Sequence, residues 1–176
     1  MKYVALLRGI NVGGKRVIRM ADLRSMFEAS GATNVVTYIQ SGNVVFDHAA
    51  RSSSTLSKQL ATSIAKAAGF DVELVVRSAK DVDAAITDRP FPKATPESMH
   101  VMFLPGPVTA ASLASIDPKT FAPDRFELTR DLYLCLPNGL GNSKLAATLF
   151  RHKALAGGTY RNWRTVLALA ALTTKG

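Results

Sequence analysis

Residues 9–16 read GINVGGKR and follow an apolar run, YVALL. Glycines beside a lysine can make a phosphate cradle, because tight backbone turns expose N–H groups and an ammonium neutralises the anion. The spacing falls one residue short of a P-loop, and Arg16 stands where that motif places a Ser or Thr hydroxyl for Mg²⁺. A P-loop also runs straight into a helix, whereas RVI delays the next helix to about Met20. Two further polar clusters could meet an anion. SGN (41–43) offers Ser41 and Asn43 in a turn. TYRNW (159–163) offers Arg161 beside Asn162, a natural N-cap for the helix that follows. The candidate ligand-binding residues are therefore Arg8, Asn11, Gly13, Gly14, Lys15, Ser41, Asn43, Arg161 and Asn162.

The elements that position these residues follow a regular order. KYVALLRG (2–9) predicts a strand, too short for an amphipathic helix. RMADLRSMFEASG (19–31) predicts a helix with Leu23, Met26 and Phe27 on one face and Gly31 as its stop. TNVVTYIQ (33–40) and NVVFD (43–47) predict strands joined through Gly42-Asn43, both tolerant of positive φ. SSSTLSKQLATSIAKAAG (52–69) predicts a helix with Leu56, Leu60 and Ile64 in register, and FDVELVVRS (70–78) a strand. The order β-α-β-β-α-β is that of a ferredoxin-like domain, or α-β plait. In that topology the first and second strands run parallel on either side of the third. The RGINVGGK loop and the SGN turn then share a sheet edge, with Gln40 among them, and Asp47 lies at the opposite edge. A short helix capped by Ser78 completes residues 1–88.

RPFPKATPES (89–98) carries three prolines and reads as a linker. Residues 99–176 then repeat the pattern: a strand (99–105), a helix (108–116), a hairpin of two strands (124–129, 132–137) and a helix (143–158) begun by Ser143. The fourth strand is degenerate, GTYR at most, and a C-terminal helix closes the chain. The fold class is α+β, with two ferredoxin-like subdomains.

Composition narrows the function. The 176 residues are 47% hydrophobic and 20% charged, ordinary for a globular protein. The single cysteine, Cys135, excludes an internal disulfide. No apolar stretch approaches the roughly 20 residues of a membrane helix, and the N-terminus lacks a signal-peptide core. A cytoplasmic location and no membrane partner are expected. His48, His100 and His152 are isolated, so neither a metal nor a cofactor is expected. The net charge of +9 is concentrated at the chain ends. Residues 1–21 hold Lys2, Arg8, Lys15, Arg16 and Arg19, and residues 132–176 hold Lys144, Arg151, Lys153, Arg161, Arg164 and Lys175, with no acid in either segment. Should these ends meet, they form one positive patch for a phosphate or a nucleic-acid backbone.

YVALLRGINVGGKRVIRMADLRSMFEASGATNVVTYIQSGNVVF closely resembles the opening of the bacterial domain of unknown function 1697 family, and GNSKL (141–145) and TYRNWRTV (159–166) resemble that family's C-terminal signature. The resemblance implies two ferredoxin-like subdomains and no known activity. It also implies that Arg8, Gly9, Asn11, Gly13, Gly14, Ser41, Gly42, Asn43, Arg161, Asn162 and Trp163 belong to the family's motifs. The last helix departs from the family in reading VLALAALTT where a lysine is usual.

The leading expectation is a binding module for a phosphate-bearing small molecule or nucleotide at the glycine-rich rim. The alternatives are nucleic-acid binding through the basic terminal segments and an interaction protein whose motif residues are structural. No nucleophile–base pair is recognisable, which ranks an enzyme using Lys15, Ser41 or Asn43 last.

Overall fold

The computed structural model describes residues 1–174. Strand β1 (Lys2–Arg8) is flanked antiparallel by β3 (Asn43–Asp47) and β4 (Glu73–Ser78), and β2 (Thr33–Tyr38) pairs outside β3. The sheet order β2-β3-β1-β4 is that of a ferredoxin-like domain. Helices α1 (Met20–Ala29) and α2 (Ser53–Ala68) cover one face. Leu23, Phe27, Leu56, Leu60 and Ile64 pack there against Tyr3, Ala5, Leu7, Val44 and Phe46. The opposite face is buried too, at Val4, Leu6, Val45 and Val75. Burial on both faces explains why YVALL is an unbroken apolar run rather than an alternating one. Ser52 caps α2 through Thr55 N, and Gly69 ends it in the left-handed conformation. Ser78 and Asp81 cap α3 (Ala79–Thr87) reciprocally, each side chain accepting from the other's backbone N–H.

The second sheet repeats the topology. Strand β5 (Met99–Phe103) is central between β7 (Leu132–Cys135) and β8 (Thr159–Asn162), with β6 (Arg125–Leu128) outermost. The fourth strand is thus present, at four residues, fully paired along β5. Helix α4 (Lys144–Arg151) packs Leu145, Ala146 and Leu149 against Met102, Leu132 and Leu134. Helix α5 (Trp163–Thr174) follows β8 directly. No helix among the described residues is long and apolar enough to cross a membrane.

Two sequence expectations are corrected. The helix expected over 108–116 is a single 3-10 turn, Ala110–Leu113, followed by another at Pro118–Phe121. Thr109 and Asp117 each bond a backbone N–H two or three residues on, so side chains take the place of a continuing helix. The helix expected over 143–158 stops at Arg151. There His152 leaves helical geometry and its Nδ1 accepts from Ala154 N, starting a 3-10 turn at Lys153–Leu155. The chain has to double back here into β8, and Gly158 passes so close to Met102 that a Cβ would lie 2.9 Å from its side chain.

The chain forms two compact units. One comprises Met1–Ala84 with the chain from Ala168 onward, and the other Ala85–Leu167. The proline-rich segment 89–98 falls within the second unit. Phe91 lies 5.0 Å from the Arg125 guanidinium, and the Ser98 hydroxyl donates to Thr95 O. Proline fixes extended backbone, but side chains decide whether that backbone packs.

Candidate functional site

The glycine loop is a miniature hairpin. Lys15 N donates to Val12 O and Asn11 N to Arg16 O, each at 3.2 Å. Gly13 and Gly14 form the two-residue turn at φ of 60° and 73°, the positive values of a type I′ turn. Its glycines therefore serve the turn, and no helix begins at its end, as a P-loop requires.

One side chain joins this hairpin to the neighbouring turn. The Asn11 amide donates to Ile18 O and to Gln40 O, both at 2.9 Å, and its Oδ1 accepts from Ile18 N at 2.8 Å. The parallel placement of β1 and β2 brings the SGN turn into reach, as the topology requires. Leu7 N donates to Gly42 O at 2.8 Å. Gly42 has φ 81°, and a Cβ there would lie 2.7 Å from Leu7 Cβ. Asn43 is fully buried, and its amide donates to Tyr38 O and Ser41 Oγ at 3.0 Å. Asn11 and Asn43 thus spend their amides on loop backbone or a neighbouring hydroxyl. Backbone strain gathers here as well: Asn11, Arg16 and Ile39 all have positive φ. For β-branched Ile39 this is an uncommon conformation.

The charges on this rim are disposed unequally. Arg8 donates to Glu73 at 2.7 Å, an ion pair about half exposed on each side. Such a surface pair contributes at most about 1 kcal/mol and exchanges readily. Lys15 and Arg16 are exposed, and neither side chain has a hydrogen-bond or ion-pair partner among the described residues. Arg16 lies outside the candidate ligand-binding residues read from the sequence, where the adjoining Lys15-Arg16 pair is the signal that points to it.

The C-terminal candidates lie in the second unit, whereas the rim belongs to the first. Arg161 is only 8% exposed on β8, donating to Thr159 Oγ1 at 2.8 Å and to Tyr160 O at 2.6 Å. Burial pulls its pKa down to about 10. Asn162 caps α5, its Oδ1 accepting from Thr165 N at 2.8 Å, and Trp163 is buried beside it. Ser143 caps α4 through Ala146 N and donates to the buried Asp124 carboxylate at 2.6 Å. Cys135 is buried, 3.5 Å from Arg125 Nη2. No group of three or more His, Cys, Asp or Glu among the described residues could hold a metal.

His100 is the titratable group with the clearest consequence. It is 8% exposed on β5, and its Nδ1 has no hydrogen-bond partner among the described residues. Burial holds its pKa below the ordinary histidine value, partly offset by a hydrogen bond with the Ser98 backbone. As pH falls through about 6.5, the unfolded chain protonates at this position before the folded one. Stability contributed by the neutral ring is therefore complete above that pH and declines below it. A urea midpoint measured from pH 7.5 to 5 should fall more steeply for the wild type than for His100→Gln.

The fold defined by these sheets is a pair of ferredoxin-like units, each a four-stranded antiparallel sheet with helices. The chain belongs to the family described as protein of unknown function DUF1697, which matches residues 1–133 and so includes both turns of the rim. The GNSKL and TYRNW motifs lie beyond the matched residues. The chain is similar in structure to the conserved bacterial protein SP0830 from Streptococcus pneumoniae, with a TM-score of 0.82 at 22% identity, covering 99% of this chain and 98% of that one. At that identity the likeness concerns the fold. No curated protein matches the chain.

Proposed function

We propose that the chain is a binding protein for a phosphate-bearing small molecule or nucleotide, held at the exposed hairpin rim of the first unit. One observation carries this reading: Lys15 and Arg16 present uncommitted cations on a turn that Asn11 and the paired glycines hold fixed. A charged group on a pre-set backbone loses little freedom on binding. Lys15 supplies a point charge and Arg16 a planar fork suited to two phosphate oxygens. Arg8 joins them by exchanging Glu73 for the ligand, and the Gly13 and Gly14 amides lie on the same turn. Ser41 and Asn43 shape the adjoining backbone. Arg161 and Asn162 stand outside this contact set, because the first is buried and the second spends its oxygen on a helix cap. No step of covalent chemistry is assigned to the rim.

Calorimetric titration at low salt with ADP and with a sugar phosphate tests the reading. Lys15→Ala/Arg16→Ala should weaken binding about a hundredfold or more, as loss of two charge-assisted contacts of about 1.5–3 kcal/mol each implies. Affinity equal to wild type in that variant would overturn the proposal.

A further inference from the structure

A different surface, in the second unit, has the composition of a platform for single-stranded nucleic acid. Phe150, near the end of α4, is 41% exposed. The ring of Tyr160 on β8 packs against it, with ring centroids 4.0 Å apart and planes inclined by 50°. An exposed aromatic ring steadied by a neighbouring ring offers an unstacked base a stacking surface. Cations lie near it in sequence. Lys144 and Arg151 are seven residues apart on α4, two turns along one side. Lys153 lies in the 3-10 turn that follows. Lys144 and Lys153 are exposed, and their side chains have no hydrogen bond or ion pair among the described residues. Arg151 spends only its Nε, on Ala147 O at 3.0 Å.

The charge of the surrounding chain agrees. Residues 132–174 contain no acid, and the sequence pI is about 10.0. Such a basic segment attracts a phosphodiester backbone.

We propose that Phe150, packed against Tyr160 and close in sequence to Arg151 and Lys153, binds single-stranded nucleic acid by stacking one base on the exposed side of its ring. The cations hold the adjoining phosphates. Stacking selects the single strand over the duplex, because a duplex hides its base faces except at its ends. The surface is independent of the hairpin rim, being built from other residues in the other unit.

Fluorescence anisotropy with a labelled twelve-nucleotide single strand, and with the same sequence as a duplex, tests this. Wild type should bind the single strand more tightly than the duplex, with an affinity that falls as salt rises. Phe150→Ala should weaken single-strand binding about tenfold or more, in the range that removal of a stacking aromatic gives. Phe150→Leu, which keeps an apolar side chain against Tyr160, should fold as wild type by circular dichroism and still lose most of that affinity. Arg151→Ala should lower the salt slope by about 0.7, the value for one single-strand phosphate contact. Lys15→Ala/Arg16→Ala should leave the platform's binding unchanged, which separates this proposal from the phosphate reading of the rim. No saturable binding, equal affinity for duplex, or wild-type affinity in both Phe150 variants would overturn it. So would equal displacement by a poly-glutamate peptide, which would show attraction by charge alone.

Discussion

Replacing Gly42 by alanine should cost about 2–5 kcal/mol. Two costs combine. At φ 81° an alanine occupies the left-handed region, which carries a penalty of about 1–2 kcal/mol. The added Cβ would also lie 2.7 Å from Leu7 Cβ and 2.9 Å from Ile10 Cδ1, both on buried residues. Overpacking of that kind costs about 1–3 kcal/mol. The strand cannot move aside easily, because Leu7 N donates to the carbonyl of the same glycine. Gly69 provides the control. It has φ 79°, but a Cβ there meets nothing within 4 Å. Gly69→Ala should therefore show the conformational penalty alone. Urea midpoints of the two variants measure the difference, and equal losses would refute the steric account.

Asn11→Ala should cost about 2–3 kcal/mol and release the hairpin. It removes three hydrogen bonds at once and leaves Ile18 N without its acceptor. A net contribution of about 1 kcal/mol per bond gives the estimate. Asn11→Asp retains an acceptor for Ile18 N but loses both amide donations, so it should fall between alanine and wild type. Asn11→Gly tolerates φ 56° and separates lost hydrogen bonds from backbone strain. Amide exchange at Ile18 is the direct readout, with protection lost in alanine and glycine and retained in aspartate. The variant also bears on the phosphate reading. Lys15 and Arg16 remain in Asn11→Ala, but on an unfixed turn, so anion affinity should drop although both cations are present. Undiminished affinity would show that charge alone suffices and that fixing the turn contributes nothing.

What the residues specified on their own is mostly local. The strands β1 to β4 and helices α1 and α2 follow from short apolar runs, a Ser cap and glycine stops, since neighbouring residues determine backbone preference. The pairing of the glycine loop with the SGN turn followed from element order, because a β-α-β-β-α-β chain has few ways to form one sheet. The cap at Asn162 and that at Ser143 were legible for the same reason: a cap acts within three residues of itself.

Tertiary structure decided the rest. Element order puts Asn11 and Gln40 on one rim, but that the Asn11 amide donates to Gln40 O and that Arg8 pairs with Glu73 depends on packing. The burial of Arg161, the most cationic residue type in a seemingly open motif, is set by its place on β8 against Val101 rather than by its sequence neighbours. The turn-back into β8 shortened α4 because Leu155 had to enter the core and Gly158 had to pass Met102. Backbone preference is local, whereas solvation and partnership depend on which distant atoms fill the space around a side chain. The sequence accordingly determined two plaits and a net positive charge, and packing determined which of its cations remain uncommitted.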